Sequence, residues 1–463
     1  MEKKKITFIK ALIPIIFLIV VILLNNIYGN GESLIPLIAS SVVAAVISIL
    51  SGYTWEELEK GFLNTINLSM QACLILMIIG MIIGTWILAG VVPTIIYYGL
   101  KILSPNIFLV ATLILCSIIS VATGSSWTTI GTIGVALIGI GQGLGISVEM
   151  TAGAIISGAY FGDKLSPLSE NTNMGSGIIG VNLYEHIKHM LYTSIPSFLI
   201  ALVLFYLLGR KYNVSTMDYS QINMIINGLQ EQFVITPILL IVPIIIIIVV
   251  VLKIPAIPGL IISFVVGSLA AIFIQGANLL EIITSAQFGY TSATGIELID
   301  NLLSKGGLNG MMYTVSLILC AMTFGGILET SGMLEVILKK VSSLIKSDGS
   351  LITIATITSL SINIFTGDQS LSVILPSRMY KDAFIKKGLE LKNLSRCSAD
   401  GGVVTSPLVP WNVCGVFVAT TLGVPTMTYL PYCFFCLLSP LICIIAGLSG
   451  YSIARVKKVT DLS

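Results

Sequence analysis

Apolar runs long enough to cross a lipid bilayer recur along the whole chain of 463 residues. About 20 residues of helix span the hydrocarbon core of a membrane. Hydrophobic residues make up 55% of the chain and charged residues 10%, against roughly 25% charged residues in a soluble domain. The sequence lacks the alternating pattern of a transmembrane strand, so we predict an all-α polytopic membrane protein. The apolar runs are 8–28, 33–50, 66–90, 186–209, 233–252, 257–275, 308–329 and 430–450.

Two polar passages rich in glycine and proline interrupt these runs, and they resemble each other. The first comprises residues 121–126 and 158–173, and the second comprises residues 364–369 and 399–412. Paired interrupted segments in the two halves of a membrane protein point to the binding site of a transporter. The matching pairs of positions are Thr123 with Thr366, Gly124 with Gly367, and Ser166-Pro-Leu168 with Ser406-Pro-Leu408.

This pairing predicts two inverted-topology repeats, each with five crossings and one re-entrant hairpin. Repeat 1 is residues 1–210, an extracellular linker is 211–232, and repeat 2 is 233–463. Five is an odd number, so the second repeat enters the membrane upside down. The fourth crossing of each repeat is predicted as a helix broken at the midplane, at 148–178 and 395–424. The hairpins are predicted at 106–141 and 350–385, with tips at Thr123–Ser126 and Thr366–Gln369; two full spans in place of each hairpin is the open alternative. Interfacial helices are predicted at 92–104 and 333–346.

The distribution of lysine and arginine supports this orientation, because short cytoplasmic loops collect basic residues. The chain has 24 of them; four fall on the predicted outer side, Lys164 lies within the membrane, and the others lie inside. Residues 142–147 carry no charge, whereas residues 378–396 carry six basic groups. Both termini are therefore predicted to be cytoplasmic in a multi-pass protein of the cell membrane. The four outer basic residues are Lys101, Arg210, Lys211 and Lys305.

Five ionisable residues fall at bilayer depth in the polar passages, where such residues are expensive and indicate function by default. They are Asp163, Lys164, Glu170, Asp368 and Asp400. The alternative is that neighbours such as Asp163 and Lys164 form structural pairs that line the bundle. Broken helices free backbone carbonyls, and nearby side chains add oxygen atoms, so we predict a coordination shell for a hard cation such as Na⁺. The candidate donors are Thr123, Ser125, Ser126, Ser166, Ser169, Asn171, Thr172 and Asn173, and then Thr366, Gln369, Thr405, Ser406 and Asn412.

Asp163 is the first candidate for the exchanging group, and Asp163, Asn173 and Asp368 are the candidate Na⁺ ligands. A carboxylate at this depth can hold Na⁺ or a proton, but not both. Shared occupancy combined with alternating access yields antiport. Lys164 either favours the ionised form of Asp163 or acts as a competing internal cation. His186 and His189 either sense pH or form an interfacial pair without that role.

Several strings resemble the NhaC family of sodium/proton antiporters over roughly residues 66–450. The resemblance implies bacterial or archaeal Na⁺/H⁺ antiport on an inverted-repeat fold of the ion-transporter superfamily, which includes exchangers of small carboxylates of the malate/lactate type. Two positions differ from the family pattern. Glu170-Asn171 stands where Asp-Thr is usual, and Ala399 stands where an acidic residue precedes Asp400. The strings are 158–169 (GAYFGDKLSPLS), 186–193 (HIKHMLYT), 376–381 (PSRMYK), 406–412 (SPLVPWN) and 422–425 (LGVP).

We therefore predict a secondary active transporter, not an enzyme, that exchanges Na⁺ for H⁺ and has no cofactor. The alternative is a Na⁺/H⁺-coupled exchanger of a small organic anion or amino acid, with Arg378, Lys164, Trp411 and Asn412 as substrate groups. A passive channel fits polar breaks at mid-depth less well. The expected partners are Na⁺, H⁺, the lipid bilayer and, in the alternative, a small carboxylate. A net charge of +2 gives no reason to expect nucleic acid, and a homodimer is one option for the assembly.

Overall fold

Apart from connecting loops and turns, the chain is helical in the residues that a computed structural model describes, which are 6–28, 33–212, 219–252, 254–343 and 345–456. The only extended pairing in these ranges is an isolated bridge between Leu389 and Arg455. Six helices are long and apolar enough to cross a membrane, or up to nine if each bent helix pair is one span. The predicted all-α, multi-pass membrane class is thus confirmed at this level.

Twenty-three α-helices follow one another in these described ranges. In the first half they are α1 Phe8–Tyr28, α2 Leu34–Leu50, α3 Trp55–Leu88, α4 Val91–Ile102, α5 Pro105–Thr123, α6 Ser126–Thr129, α7 Val135–Gly143, α8 Val148–Leu165, α9 Glu170–Ile179, α10 Leu183–Gly209 and α11 Tyr219–Gln232. In the second half they are α12 Ile241–Val251, α13 Ala256–Gln275, α14 Leu279–Phe288, α15 Glu297–Leu303, α16 Met312–Thr330, α17 Met333–Ser342, α18 Asp348–Thr366, α19 Gln369–Lys386, α20 Lys392–Ser398, α21 Val413–Leu422, α22 Thr426–Tyr429 and α23 Phe434–Ser449. Short π-helical turns at Ile130–Gly134 and Ala399–Val403 follow α6 and α20.

The two hairpin tips are built in the same way. Gly124 caps the end of α5 and Gly367 caps the end of α18, each with φ of 68°, a left-handed conformation that glycine adopts without steric cost. The next residue then caps the following helix: the Ser125 hydroxyl accepts a hydrogen bond from the Thr128 backbone N–H at 3.1 Å, and the Asp368 carboxylate accepts one from Leu371 at 2.7 Å. Each α-helix therefore stops and restarts within two residues.

Each tip packs against the break of the broken helix in its own half. A Cβ atom added to Gly124 would lie 2.6 Å from the carbonyl carbon of Leu168, between α8 and α9. A Cβ atom added to Gly367 would lie 3.0 Å from the carbonyl oxygen of Trp411, just before α21. In each half, the hairpin tip and the break of the broken helix are therefore in contact.

Small residues allow the helices behind these breaks to approach closely, as is common in membrane bundles. A Cβ atom on Gly162 of α8 would lie 2.5 Å from the Ser117 carbonyl oxygen of α5. A Cβ atom on Gly401 would clash with the carbonyl oxygen of Thr356 on α18. Helices α5 with α8, and α18 with the π-turn after α20, therefore form tightly packed pairs that position the polar residues between them.

The structure differs from the sequence prediction at several element boundaries. Helix α3 begins at Trp55, eleven residues before the predicted crossing at 66–90, because Thr54 and Glu57 form a capping box with hydrogen bonds of 3.0 and 3.2 Å. The predicted linker 211–232 contains helix α11. Helices α14 and α15 lie in a stretch for which we predicted no element. Lys3, Lys4, Lys5, Lys253, Lys457 and Lys458, which contribute to the predicted charge bias, lie outside the described residues.

Candidate functional site

A cavity of about 600 Å³ lies where the breaks of the two halves meet. Its walls come from both hairpin tips, from the break between α8 and α9, from α3, and from the beginnings of α13 and α21. Three carboxylates line it, Asp163, Glu170 and Asp368, and the described lining residues include no lysine, arginine or histidine. We call this space the acidic cavity.

Asp163 sits in the last turn of α8, where it is 2% exposed. Its Oδ2 atom accepts hydrogen bonds from the Ser126 hydroxyl at 2.6 Å and from the Ser126 backbone N–H at 3.2 Å. Its Oδ1 atom accepts one from the Ser169 hydroxyl, and the Asn171 amide lies 3.5 Å from Oδ2. Hydroxyl groups can donate to a carboxylate or offer a lone pair to a cation. The surroundings of Asp163 therefore suit both states of an ion-exchanging carboxylate.

Asp368 reaches the same cavity from the second half. It is the N-cap of α19, the position that Ser125 occupies at the start of α6. The Oδ1 atom of Asp368 accepts a hydrogen bond from the Leu371 N–H. Asp368 can therefore hold α19 in place while its side chain also lines the cavity.

Lys164 and Asp400 form a fully buried ion pair away from the acidic cavity, with 1% and 0% of their side chains exposed. Ser439 of α23 bonds to both partners, with its hydroxyl 3.1 Å from Lys164 Nζ. Thr193 of α10 donates to the other Asp400 oxygen at 2.9 Å. Lys164 therefore faces Asp400 and not its neighbour Asp163, because successive residues of a 3.6-residue helix point in different directions.

Several predicted site residues bind backbone atoms of the breaks. Ser166 donates to the Val121 carbonyl at 2.7 Å, which ties the α8–α9 break to the first hairpin. Asn412 accepts from Cys414 N–H at 2.9 Å and caps α21. Further bonds of this kind run from Thr366 to Ile362 at 2.8 Å, from Ser406 to Val403 at 2.8 Å, and from Asn173 to Pro167 and Ser169 at 2.8 and 2.7 Å.

The predicted site residues thus fall into two groups. Those that line the acidic cavity are Thr123, Ser125, Ser126, Asp163, Glu170, Asn171, Asn173, Asp368 and Gln369. Those that do not line it are Lys164, Ser166, Ser169, Thr172, Thr366, Asp400, Thr405, Ser406 and Asn412. The organic-anion alternative relied on Arg378, Lys164, Trp411 and Asn412, and none of these four lines the cavity. The Trp411 indole N–H instead donates to the Ile364 carbonyl at 2.7 Å.

The sequence prediction did not include some polar residues of the cavity wall, nor a buried asparagine that bonds to the second break. Ser69 and Gln71 of α3 line the cavity, and the signal was a polar interruption, Asn67-x-Ser69-x-Gln71, inside an apolar run. Asn363 of α18 is fully buried and donates to the Gly402 carbonyl at 2.5 Å and to Thr405 at 3.0 Å. For Asn363, the signal in the sequence was a single asparagine inside an apolar helix.

The two histidines lie near the start of α10. His186 Nδ1 is 2.8 Å from the Ser395 hydroxyl, and both side chains are buried. Across the described part of the chain, no group of three or more His, Cys, Asp or Glu side chains is arranged to hold a metal ion.

Comparison with known proteins places this architecture in a family. The family model described as the Na⁺/H⁺ antiporter family matches residues 158–451. The chain is 38% identical over 431 residues to the Na(+)/H(+) antiporter NhaC of Alkalihalophilus pseudofirmus, with 93% of each chain covered. It is 38% identical to the Malate-2H(+)/Na(+)-lactate antiporter of Bacillus subtilis, over 92% of this chain and 91% of the relative. It is 36% identical to the Arginine/ornithine antiporter ArcD of Halobacterium salinarum, over 97% and 93% respectively.

These relatives are named for different solutes, although their sequence identities to this chain are almost equal. The solute must therefore be argued from the residues of the cavity and not from the identity figures. The family itself is established by the length and the level of these matches. The chain belongs to the Na⁺/H⁺ antiporter family.

Proposed function

We propose that this protein is a secondary active transporter that exchanges Na⁺ for H⁺ across the cell membrane by alternating access. One observation carries the proposal. Carboxylates from both halves of the chain, Asp163 and Asp368, line one cavity together with Glu170, and no basic side chain is among the described lining residues. Such a cavity attracts cations and repels anions.

Asp163 is the proposed exchanging group. In the ionised state it binds Na⁺, with the hydroxyl oxygens of Ser126 and Ser169 turned toward the ion. In the protonated state it remains hydrogen-bonded to the same two hydroxyls, which lie on the tip and on the break. Because Na⁺ and H⁺ compete for one carboxylate, the protein carries Na⁺ in one direction and H⁺ in the other when the site alternates between the two sides. Asn173 and Asp368 are the further Na⁺ ligands we propose.

The Lys164–Asp400 pair serves in this proposal as a link between the two halves, separated by 236 residues. Buried ion pairs are weak contributors to net stability, but breaking one leaves an uncompensated charge. Lys164 directly follows Asp163, so a shift of the α8 end would move both residues. The pair thus couples the exchanging carboxylate to the π-turn after α20.

We further propose the inverted-repeat layout, with repeat 1 at residues 1–210, repeat 2 at 233–463 and both termini cytoplasmic. The equivalent construction of the two tips, at Gly124 and Gly367, supports this layout. The acidic cavity extends to residues 254–260 at the start of α13. On the proposed topology these residues lie on the cytoplasmic side, so the cavity is the cytoplasm-facing form of the site. A homodimer remains a prediction, to be tested from the mass of the purified protein.

Exchange of a small organic anion is the second candidate, supported by the similarity to a malate/lactate antiporter. The acidic cavity argues against it, because a substrate carboxylate would face Asp163, Glu170 and Asp368 with no described cationic side chain in the wall. An amino acid with a cationic side chain meets less opposition there.

Proteoliposomes test the proposal directly. We expect an imposed Na⁺ gradient to drive proton movement, read from an internal pH dye, without any organic solute. Malate, lactate or arginine should leave the initial rate unchanged. Proton movement that strictly requires one of these solutes would overturn Na⁺/H⁺ antiport in favour of the coupled exchanger.

A further inference from the structure

A second cavity, of about 320 Å³, lies at the end of the molecule where α10 begins. Glu185, Lys188, His189 and Tyr192 of α10 line it, together with Lys392 of α20 and residues 452–454 after α23. It shares no lining residue with the acidic cavity. Its volume lies in the range of roughly 300–1,000 Å³ that is typical of small-molecule sites. We call it the basic pocket.

A buried arginine stands directly behind one wall of this pocket. Arg396 is 0% exposed, and its Nη1 atom donates to the Ser452 hydroxyl at 2.6 Å and to the Ser452 carbonyl at 3.3 Å. Its Nε and Nη2 atoms have no hydrogen-bond partner among the described residues. A guanidinium is always charged, and a buried charge without a counter-charge is strongly unfavourable. A nearby anion would therefore stabilise the buried charge of Arg396.

The neighbouring carboxylates are already engaged elsewhere. Lys392 lies 2.7 Å from Glu390 and 3.6 Å from Glu185, so both acids serve the lysine on the pocket rim. Among the described ion pairs none includes Arg396 or Lys188. The cations Lys188, Lys392 and Arg396 thus outnumber the two acids around the pocket.

Two further features converge on the same wall. His189 lines the pocket, is 5% exposed, and has a buried Nε2 atom without a hydrogen-bond partner in the described chain. Ser452 has φ of 57° and is the one non-glycine residue with positive φ in the described ranges. Residues held in such conformations cluster at binding sites. Here the strained residue is the one that holds Arg396 against the pocket.

The pocket also lies at one end of an exposed apolar surface on α10, which we expect to face lipid. Tyr192 and Tyr451 are exposed, and their rings meet edge to face at 6.1 Å. Leu191, Ile195 and Leu199 continue an exposed apolar stripe along α10. Tyrosine at the end of such a stripe is typical of the membrane interface, where basic groups attract anionic headgroups.

We propose that the basic pocket binds an oxyanion of the phosphate class through Lys188 and His189, which line it, and that the buried charge of Arg396 behind the Ser452 wall attracts the anion. The phosphate belongs to an anionic lipid headgroup or to a free ion in solution. The bound anion would neutralise Arg396 and join α10, α20 and the segment after α23. Helix α20 continues into the π-turn that contains Asp400. An anion bound in the pocket would therefore stabilise the position of Asp400, the partner of Lys164.

The first experiment measures the thermal stability of detergent-purified protein in inorganic phosphate and in chloride at matched ionic strength. We expect phosphate to raise the Tm of the wild type saturably. Lys188→Gln should weaken the apparent Kd by about tenfold, the effect of one charged hydrogen bond, and His189→Gln should also weaken it. The matched control is Lys386→Gln, which removes an exposed lysine that does not line the pocket and should respond as the wild type does.

The second experiment distinguishes the two sources of phosphate. Protein reconstituted in phosphatidylcholine is compared with protein in phosphatidylcholine plus phosphatidylglycerol. A rise in Tm with phosphatidylglycerol but not with inorganic phosphate identifies a headgroup site, and the reverse identifies a free anion. Because Arg396→Gln also removes a buried charge, Lys188→Gln decides the result. If wild type and Lys188→Gln respond identically to both anions, or respond to neither, the proposal is overturned.

Discussion

At the scale of single residues, two of the buried carboxylates, Asp163 and Asp400, lie in opposite kinds of surroundings. Asp163 is bonded by uncharged hydroxyl and amide donors on the wall of a cavity. Asp400 is bonded by Lys164, Ser439 and Thr193 in the packed interior. A carboxylate without a fixed cation can exchange its counter-ion, whereas one with a buried lysine partner is already neutralised. The two aspartates should therefore respond differently to removal of their charge.

Asp163→Asn should reduce exchange to the level of empty vesicles and leave the protein folded. The amide keeps the volume of the side chain but takes up no proton and binds Na⁺ less strongly. Transport in proteoliposomes and the Tm of the purified variant are the two measurements. Asp382→Asn, which changes an exposed carboxylate on α19, is the matched control. Wild-type exchange by Asp163→Asn would remove this residue from the mechanism.

Asp368→Asn should change the apparent Na⁺ affinity or the pH profile of exchange, and not merely the amount of protein. Asparagine is as good an N-cap as aspartate, so α19 should still begin at the same place while the cavity loses one negative charge. Assays over a grid of pH and Na⁺ concentration, normalised to purified protein, measure this. An unchanged affinity and an unchanged pH optimum would confine the ion site to the first half of the chain.

Asp400→Asn should destabilise the fold by about 3–5 kcal/mol, since it leaves Lys164 charged and buried without its partner. Asp348→Asn is the control, because it affects partly exposed pairs with Lys387 and Arg455 that contribute about 0–1 kcal/mol each. Adding Lys164→Met to Asp400→Asn should restore most of the loss. Equal unfolding free energies for Asp400→Asn and Asp348→Asn would show that the buried pair carries no special energy.

The sequence predicted which residues stand at the breaks, but not which of them pair. Asp163 and Lys164 are adjacent, so local reasoning treated them as mutual partners or competitors. The structure pairs Lys164 with Asp400, 236 residues away, and such long-range partners are set by helix packing. Ser166, Ser406 and Asn412 lay in the predicted passages, yet the two serines donate to backbone carbonyls, and Asn412 accepts from the Cys414 N–H and donates to the Asn363 side chain. A hydroxyl that caps a helix and one that binds an ion look identical in a sequence.

At the scale of elements, the tips depend on the left-handed glycines Gly124 and Gly367. A side chain at either position would strain the backbone and also meet the neighbouring break. The sequence revealed these breaks because Thr-Gly recurs between apolar arms. It did not reveal α11, α14 and α15, since these short helices lie in polar or mixed stretches whose structure is decided by packing.

Gly124→Ala should lower both the Tm and the rate of exchange. It forces a Cβ atom into a left-handed conformation and to within 2.6 Å of Leu168, next to the Ser126 contact with Asp163. Gly145→Ala is the matched control, because Gly145 has φ of 71° with no atom within 4 Å of the added Cβ. It should lose only about 1 kcal/mol from backbone strain. Equal losses of Tm and transport in the two variants would show that the contact between tip and break is unimportant.

At the scale of the whole molecule, the class of protein followed from composition, whereas the topology is a prediction from the charge distribution. The apolar runs already required a helical membrane protein, because only helices satisfy every backbone group within one segment in lipid. The number of full crossings was harder to obtain. Helix α8 has 18 residues, but it is not among the six helices that are apolar enough to cross a membrane, because it carries charged residues such as Asp163 and Lys164.

The orientation of the repeats is testable with single cysteines. We expect a cysteine replacing Lys386 to react with a membrane-impermeant maleimide only from the cytoplasm, and one replacing Gly145 only from outside, because an odd number of crossings inverts the second repeat. Both positions are exposed, whereas the eight native cysteines are buried or half-buried, which keeps the background low. Wild-type protein labelled in intact cells and in inverted vesicles provides the baseline. Labelling of both positions from the same side would contradict the inverted repeat.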